Sequence, residues 1–224
     1  DPNTWSWKHG KAPGKDDVNN VLFFFSNDPL GNIWFVGSGD RNKTNGNTYL
    51  DFELLQNPLY QNPDMTFTSY GPDGGRTMGD LAVTVEYTIG GSYPQLYVYQ
   101  WSEISAGMFE YIAVIPAEGT AYYAMNEHSA IAVPYGAFGS NTYPIGAFTE
   151  VAVNLNDLVA GMNACLGIKT VLVKTKASQS INAALKDVVT PVQVDISSSP
   201  QISVNSPTIC FGDTAVLTAT VLSG

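Results

Sequence analysis

The sequence predicts an all-β fold, an antiparallel sandwich of jelly-roll type with one short helix, and three observations predict it. Apolar runs of strand length recur along the chain, several alternating with a period of two. Glycine, proline and asparagine turns separate them at short intervals, without the regular helices that βαβ units require. One helix is expected, at 154–165, where apolar residues fall at helical spacing.

In order along the chain, "VLFFFSND" (21–28) and "NIWFVGSGD" (32–40) flank the turn residues "DPLGN" and are expected to form a hairpin. "NTYLDFELL" (47–55) alternates, with Tyr49, Asp51 and Glu53 on one face and Leu50, Phe52 and Leu54 on the other. "MTFTSY" (65–70) alternates more weakly before the turn "GPDGG". "DLAVTVEYTIGG" (80–91) sets Leu81, Val83, Val85 and Tyr87 against Ala82, Thr84 and Glu86, and is expected to pair with "PQLYVYQWS" (94–102) across Gly90 and Gly91. "MFEYIAVIP" (108–116) is a further strand, followed by a Gly-, Ala- and Tyr-rich passage to about residue 144. "NLNDLVAGMNAC" (154–165) is the helix, with Asn154 or Asn156 as its cap and Gly161 weakening it. "GIKTVLVKTKAS" (167–178) alternates apolar residues with lysines and threonines, "INAALKDVV" (181–189) fits helix or strand, and "PVQVDIS" (191–197) is a strand.

Charged residues make up 13% of the chain and the net charge is −10, which excludes a nucleic-acid or anionic-membrane partner recognised through clustered cations. The ten basic residues are scattered, densest at Lys169, Lys174 and Lys176. No apolar run reaches transmembrane length. Two cysteines, Cys165 and Cys210, do not make a disulfide framework.

"WSW…PGKDDVNNV", "SGDRNKTNGNTYLDFELLQNPL", "YGPDGGRTMGDLAVTVEYTIGG", "VPYGAFG" and "GIKTVLVKTKAS…ALKDVVTPVQV" together resemble a β-sandwich module of very large secreted and cell-surface proteins of Bacteroidetes, over roughly residues 3–196. "SPTICFGDTAVLTATV" resembles the opening strands of the immunoglobulin-like repeats that follow such modules. The resemblance is to adhesins and gliding-associated proteins exported by the type IX system. It implies an extracellular or cell-surface location and no catalytic mechanism. The expected organisation is a sandwich at 1–196, a linker at 197–207, and at 208–224 either an incomplete Ig-like start or a donor strand. In the second case Ala215, Leu217, Ala219 and Val221 form one face of a strand given to a neighbouring copy. Expected partners are other copies or neighbouring modules of the same surface protein, and glycans. The expected function is that of a non-enzymatic structural or adhesive module. A carbohydrate-binding module is the alternative, and a glycoside hydrolase the third reading.

Chemistry-bearing residues are few. His9 and His128 lack the partners of a triad and are read as surface residues. The two histidines and two cysteines show no zinc spacing. Asp51 and Glu53 lie two apart on one strand face, roughly 7 Å, with Glu86 on another strand. They are candidate glycosidase acids, or carboxylates on a solvated face. No resident cofactor is expected, and calcium is the candidate metal: "GKDDVNN" and "GDRNKTNGN" offer oxygen ligands, chiefly Asp17, Asp40 and Asn45. Asp17 and Asp40 alternatively pair with Arg41 or cap turns. Trp34 and Trp101 are assigned to the core, Trp5 and Trp7 to clamping the amino-terminal segment, and Tyr122, Tyr123, Tyr135 and Tyr143 to a surface suited to stacking sugars.

Overall fold

Strands that alternate apolar and polar residues bury one face each, and here two such faces meet. The computed structural model describes residues 1–158, 167–180, 183–194, 196, 201–206, 208, 214, 216 and 218–223. The strands are β1 (Val21–Asn27), β2 (Ile33–Asp40), β3 (Thr48–Leu55), β4 (Leu59–Gln61), β5 (Phe67–Ser69), β6 (Leu81–Thr88), β7 (Tyr93–Ser105), β8 (Met108–Val114), β9 (Ala121–Met125), β10 (Ile131–Ala137), β11 (Ser140–Tyr143), β12 (Phe148–Asn154), β13 (Thr170–Lys176), β14 (Leu185–Val188), β15 (Val192–Gln193), β16 (Gln201–Val204) and β17 (Ala219–Ser223). A single helical turn, α1 (Leu155–Leu158), follows β12, and the rest of the expected helix lies outside the described residues.

One sheet runs β1-β2-β12-β9 and the larger runs β14-β13-β3-β6-β7-β8, with β15 beside β13. Every pairing is antiparallel, and both expected hairpins, β1–β2 and β6–β7, are present. β2 and β3 are consecutive yet lie in different sheets, as do β12 and β13. β2 pairs with β12, and β3 with β13. The two crossings tie the sheets together, so neither can be withdrawn without breaking pairing in the other.

Between the sheets Phe35, Val151 and Val153 meet Leu50, Phe52, Leu54, Val83, Val85, Val98, Val171 and Val173. Phe35 and Phe52 contact edge to face, with centroids 5.6 Å apart. Close approach there depends on two glycines of β2. A Cβ on Gly37 would lie 2.8 Å from the Phe35 ring, and one on Gly39 2.7 Å from Leu50. Neither has a positive φ, so the requirement is space rather than backbone freedom. The β10–β11 hairpin carries its own small core of Val133, Ala137 and Tyr143 against Ala147 and Phe148.

The larger sheet is covered on its other side too. Trp5 and Trp7 pack on Leu55, Leu59, Phe67 and Leu172, which draws the amino-terminal segment and the β4–β5 hairpin onto that face. Trp7 donates its backbone N–H to Met65 (2.9 Å) and its indole N–H to the Asn62 carbonyl (3.2 Å). This confirms the clamp expected of the two tryptophans. It also makes β3 and β13 buried along their whole length. The solvated face expected for Asp51, Glu53 and Glu86 is therefore corrected: all three are buried.

Three further expectations change. Trp34 is outside the core, 6.1 Å from Tyr122 on the outer face of the smaller sheet. Trp101 is buried, but on the outer face of the larger sheet against Phe109 and Tyr111 rather than between the sheets. Tyr143 is fully buried, whereas Tyr122, Tyr123 and Tyr135 are exposed.

Candidate functional site: a charged, aromatic-walled cleft

The period-two alternation that sends Leu50, Phe52 and Leu54 into the core sends Asp51 and Glu53 to the opposite face. Strand register decides what they meet there. Asp51 stands opposite Lys174 of β13 and Thr84 of β6, and Glu53 stands opposite Leu172 and Ala82. Beyond β6 come Tyr99 and Trp101 of β7, then Tyr111 of β8 opposite Trp101.

Arg76 descends onto this face from the turn 71–80. Gly71 passes so close to Arg76 that any Cβ would collide with its backbone, and Gly74 and Gly75 have φ of +68° and +76°. Only glycine takes these positions without strain. The end of the turn is pinned by Asp80, which accepts from the backbone N–H of Thr77 (2.8 Å) and of Gln56 (2.9 Å). Trp101 donates its indole N–H to the Asp73 carbonyl (2.8 Å). Burial pushes the Asp80 carboxyl up to about 6, against the pull of those donors.

The result is a row of alternating charges in the order Arg76, Glu53, Lys174, Asp51, Lys176. Arg76 forks onto Glu53, with Nη2 at 3.0 Å from Oε1 and 2.9 Å from Oε2, and Nε at 3.1 Å from Oε2. Lys174 bridges Glu53 and Asp51, the latter at 3.1 Å. Lys176 meets the same Asp51 oxygen at 3.0 Å, and Thr84 donates to the other at 2.8 Å. Burial alone would raise the Glu53 carboxyl, but Arg76 and Lys174 more than reverse this and hold it at about 2. Burial would likewise discharge Arg76, and Glu53 outweighs it to keep the guanidinium charged. Tyr111 donates to Glu53 (3.2 Å), and burial, then the Glu53 charge, drives its phenol well above the usual range.

Aromatic rings enclose this floor. The Arg76 guanidinium lies 5.1 Å from the ring centres of Trp101 and Tyr111 and 5.3 Å from that of Trp5. Tyr99 and Phe109 continue the wall, and the small side chain of Ala82 leaves room between Glu53 and Tyr99. The cavity is about 810 Å³, the size of a cleft that takes a small ligand or a few linked sugar rings. It offers aromatic faces, hydroxyls and charged hydrogen-bonding groups. A general acid must carry a proton near neutral pH, and Glu53 does not.

The loop residues expected as calcium ligands sit elsewhere. Asp40 is buried and accepts four hydrogen bonds: the N–H of Asn19 (2.7 Å) and of Asn20 (2.9 Å), the Asn20 amide (3.0 Å) and the Tyr143 hydroxyl (2.7 Å). Asp17 is half-buried and accepts from the Asn42 amide (2.8 Å), and Asn45 is exposed. Among the described residues no three His, Cys, Asp or Glu side chains converge as a metal site. Arg41 pairs with neither aspartate. It lies 3.8 Å over the Tyr87 ring and donates to the carbonyls of Gly146 (2.9 Å) and Gly91 (2.5 Å). His128 is exposed, 4.0 Å from Glu127, and His9 lies edge-on to Trp7.

Of the expected assembly strand, Ala215 and Leu217 lie outside the described residues, as do Cys165 and Cys210. Ala219 and Val221 fall in β17, which pairs antiparallel with β16, Ala219 opposite Val204 and Val221 opposite Ile202.

Sequence reasoning found Asp51 and Glu53 and missed Arg76, Lys174 and Lys176 as their partners. The signal was present as two lysines and two acids, each pair two residues apart on its own strand. No family model, curated protein or solved structure matches the chain.

Proposed function

We propose that the protein is a non-enzymatic extracellular adhesive module that holds a saccharide in the cleft on its larger sheet. The observation that carries this is the pairing of an aromatic wall with a floor whose carboxylates are already engaged by cations. Sugar rings present apolar C–H faces that stack on aromatic side chains, and hydroxyls that need fixed hydrogen-bonding groups. Tyr99, Phe109 and Trp101 supply the first and the charged row the second. A hydrolase would need one of the two carboxyls to cycle a proton, and the ion pairs oppose that. The resemblance to Bacteroidetes surface modules, with few charges and many amides and hydroxyls, supports the extracellular location. No described helix is long and apolar enough to cross a membrane.

Affinity electrophoresis through gels containing soluble polysaccharides tests the reading. One retarding polysaccharide is expected, with Tyr99→Ala and Phe109→Ala each weakening retardation about tenfold, the worth of one stacking contact of ~1–1.5 kcal/mol. No retardation in any gel, or retardation indifferent to both variants, removes the cleft as the site.

The β16–β17 pair favours a second reading, assembly with other copies. Two strands alone are marginal in water, and Ser203, Val204, Ala219 and Thr220 of this pair are exposed. Further strands from an adjoining repeat or a neighbouring copy would complete the sheet. Deleting residues 201–224 is expected to leave the Tm of the sandwich within about 2 °C, because among the described residues the main core extends no further than Ile196. If copies supply the missing strands, the deletion abolishes concentration-dependent assembly in sedimentation velocity. Unchanged assembly would overturn strand donation.

A further inference from the structure

We infer that the saccharide taken by the cleft is acidic, carrying a carboxylate that docks at the Lys176 end of the charged row. The inference rests on the proposed saccharide site and adds the class of its ligand.

The row has three cations and two carboxylates, so both of its ends are positive. At the Arg76 end the guanidinium has Glu53 in a fork and three aromatic faces around it. At the other end Lys176 is buried and among the described residues has a single ion-pair partner, an Asp51 oxygen that it shares with Lys174. The other Asp51 oxygen already accepts from Thr84. An ammonium has three N–H donors. Two of those on Lys176 have no hydrogen-bond acceptor among the described side chains of the row, and the residue lines the cavity. A buried cation that must share half a carboxylate is under-compensated, and a second carboxylate from a ligand would balance it. The other carboxylates nearby do not fill that role. Glu86 accepts from the Gln179 amide (2.9 Å), and Asp1 and Glu110 are exposed cavity-lining residues where water screens them. The chain as a whole carries −10 and only ten basic residues, three of which gather here. Long-range electrostatics therefore disfavour a polyanion on the chain as a whole, and retention of one would report this site.

The test compares the intact 224-residue chain on immobilised polygalacturonate and on a neutral β-glucan, with free galacturonate as competitor. Lys176→Met and Lys176→Arg are run alongside, each checked for an unchanged melting curve. Retention on polygalacturonate, elution by galacturonate, a loss of about tenfold or more in Lys176→Met and recovery in Lys176→Arg are expected, the effect of one charge-assisted contact. Equal or stronger retention on the neutral glucan would overturn the acidic assignment and leave the saccharide reading standing. Retention on polygalacturonate that Lys176→Met does not change would also overturn it, placing the contact elsewhere. Retention on neither matrix overturns both.

Discussion

Glu53→Gln is expected to lower folding stability by about 3–5 kcal/mol, a Tm loss of roughly 10 °C for a chain of this size. Glu53 is buried and, among the described residues, is the one carboxylate in an ion pair with Arg76, so the amide leaves a guanidinium and an ammonium in the interior with too little negative charge. Replacing Glu53, Arg76 and Lys174 together by methionine is expected to recover much of that loss, because apolar packing can substitute for a buried ion network. The triple variant should still lose the saccharide. A urea titration of the three proteins separates these outcomes; a Glu53→Gln midpoint equal to wild type would mean the row is solvated.

The same network sets the acid limb of stability. Glu53 has a folded pKa of about 2, below its unfolded value of ~4.3. Its stabilisation is therefore present above the unfolded value and disappears as pH falls through about 2. Asp80 acts with opposite sign. Its folded pKa of about 6 exceeds the unfolded ~3.9, so the folded state takes the proton first and gains stability as pH falls from 6 towards ~4. Together the two groups favour a stability maximum near pH ~4–5. Glu53→Gln should flatten the limb below that maximum and Asp80→Asn the limb above it, measured as urea midpoints against pH.

Asp40→Ala carries the second large effect, about 2–4 kcal/mol. Its two oxygens accept four hydrogen bonds, from two backbone N–H groups of residues 19–20, the Asn20 amide and the Tyr143 hydroxyl. Removing the carboxylate strands these donors between the 19–20 segment and the β10–β11 hairpin, so the hairpin should loosen first in hydrogen exchange. The four donors also occupy the lone-pair sites a cation would need. EDTA is accordingly expected to leave the wild-type Tm unchanged. A Tm that rises with added calcium would mean that Asp40 exchanges its donors for the ion, through the mass-action stabilisation of a bound ligand.

The outline of the fold was legible because it follows from local chemistry. Alternation over 47–55 and 80–88 reports a half-apolar strand whatever its neighbours, and Asp28 to Asn32 or Gly90 and Gly91 turn the chain by their own backbone preferences. The burial of the second face was not legible. Asp51, Glu53, Lys174 and Lys176 look like a solvated row from their own strands, because a charge in an alternating strand has water as its default partner. Their actual partners come from β3 pairing β13, more than a hundred residues away in sequence.

Trp101 and Tyr143 show the same limit. Period-two alternation states that a side chain leaves one face of its strand, and says nothing of what covers that face. Trp101 is buried by the turn that delivers Arg76, and Tyr143 by Val133, Ala137, Ala147 and Phe148, with its hydroxyl on Asp40. By itself the sequence determined the all-β class, the principal hairpins, the core faces of β3 and β6, and an acidic, charge-poor chemistry. Only the tertiary structure decided that three scattered cations and two acids share one cleft. Strand direction and spacing are encoded within a few residues, whereas the convergence of Arg76, Glu53 and Lys174 depends on register between strands distant in sequence.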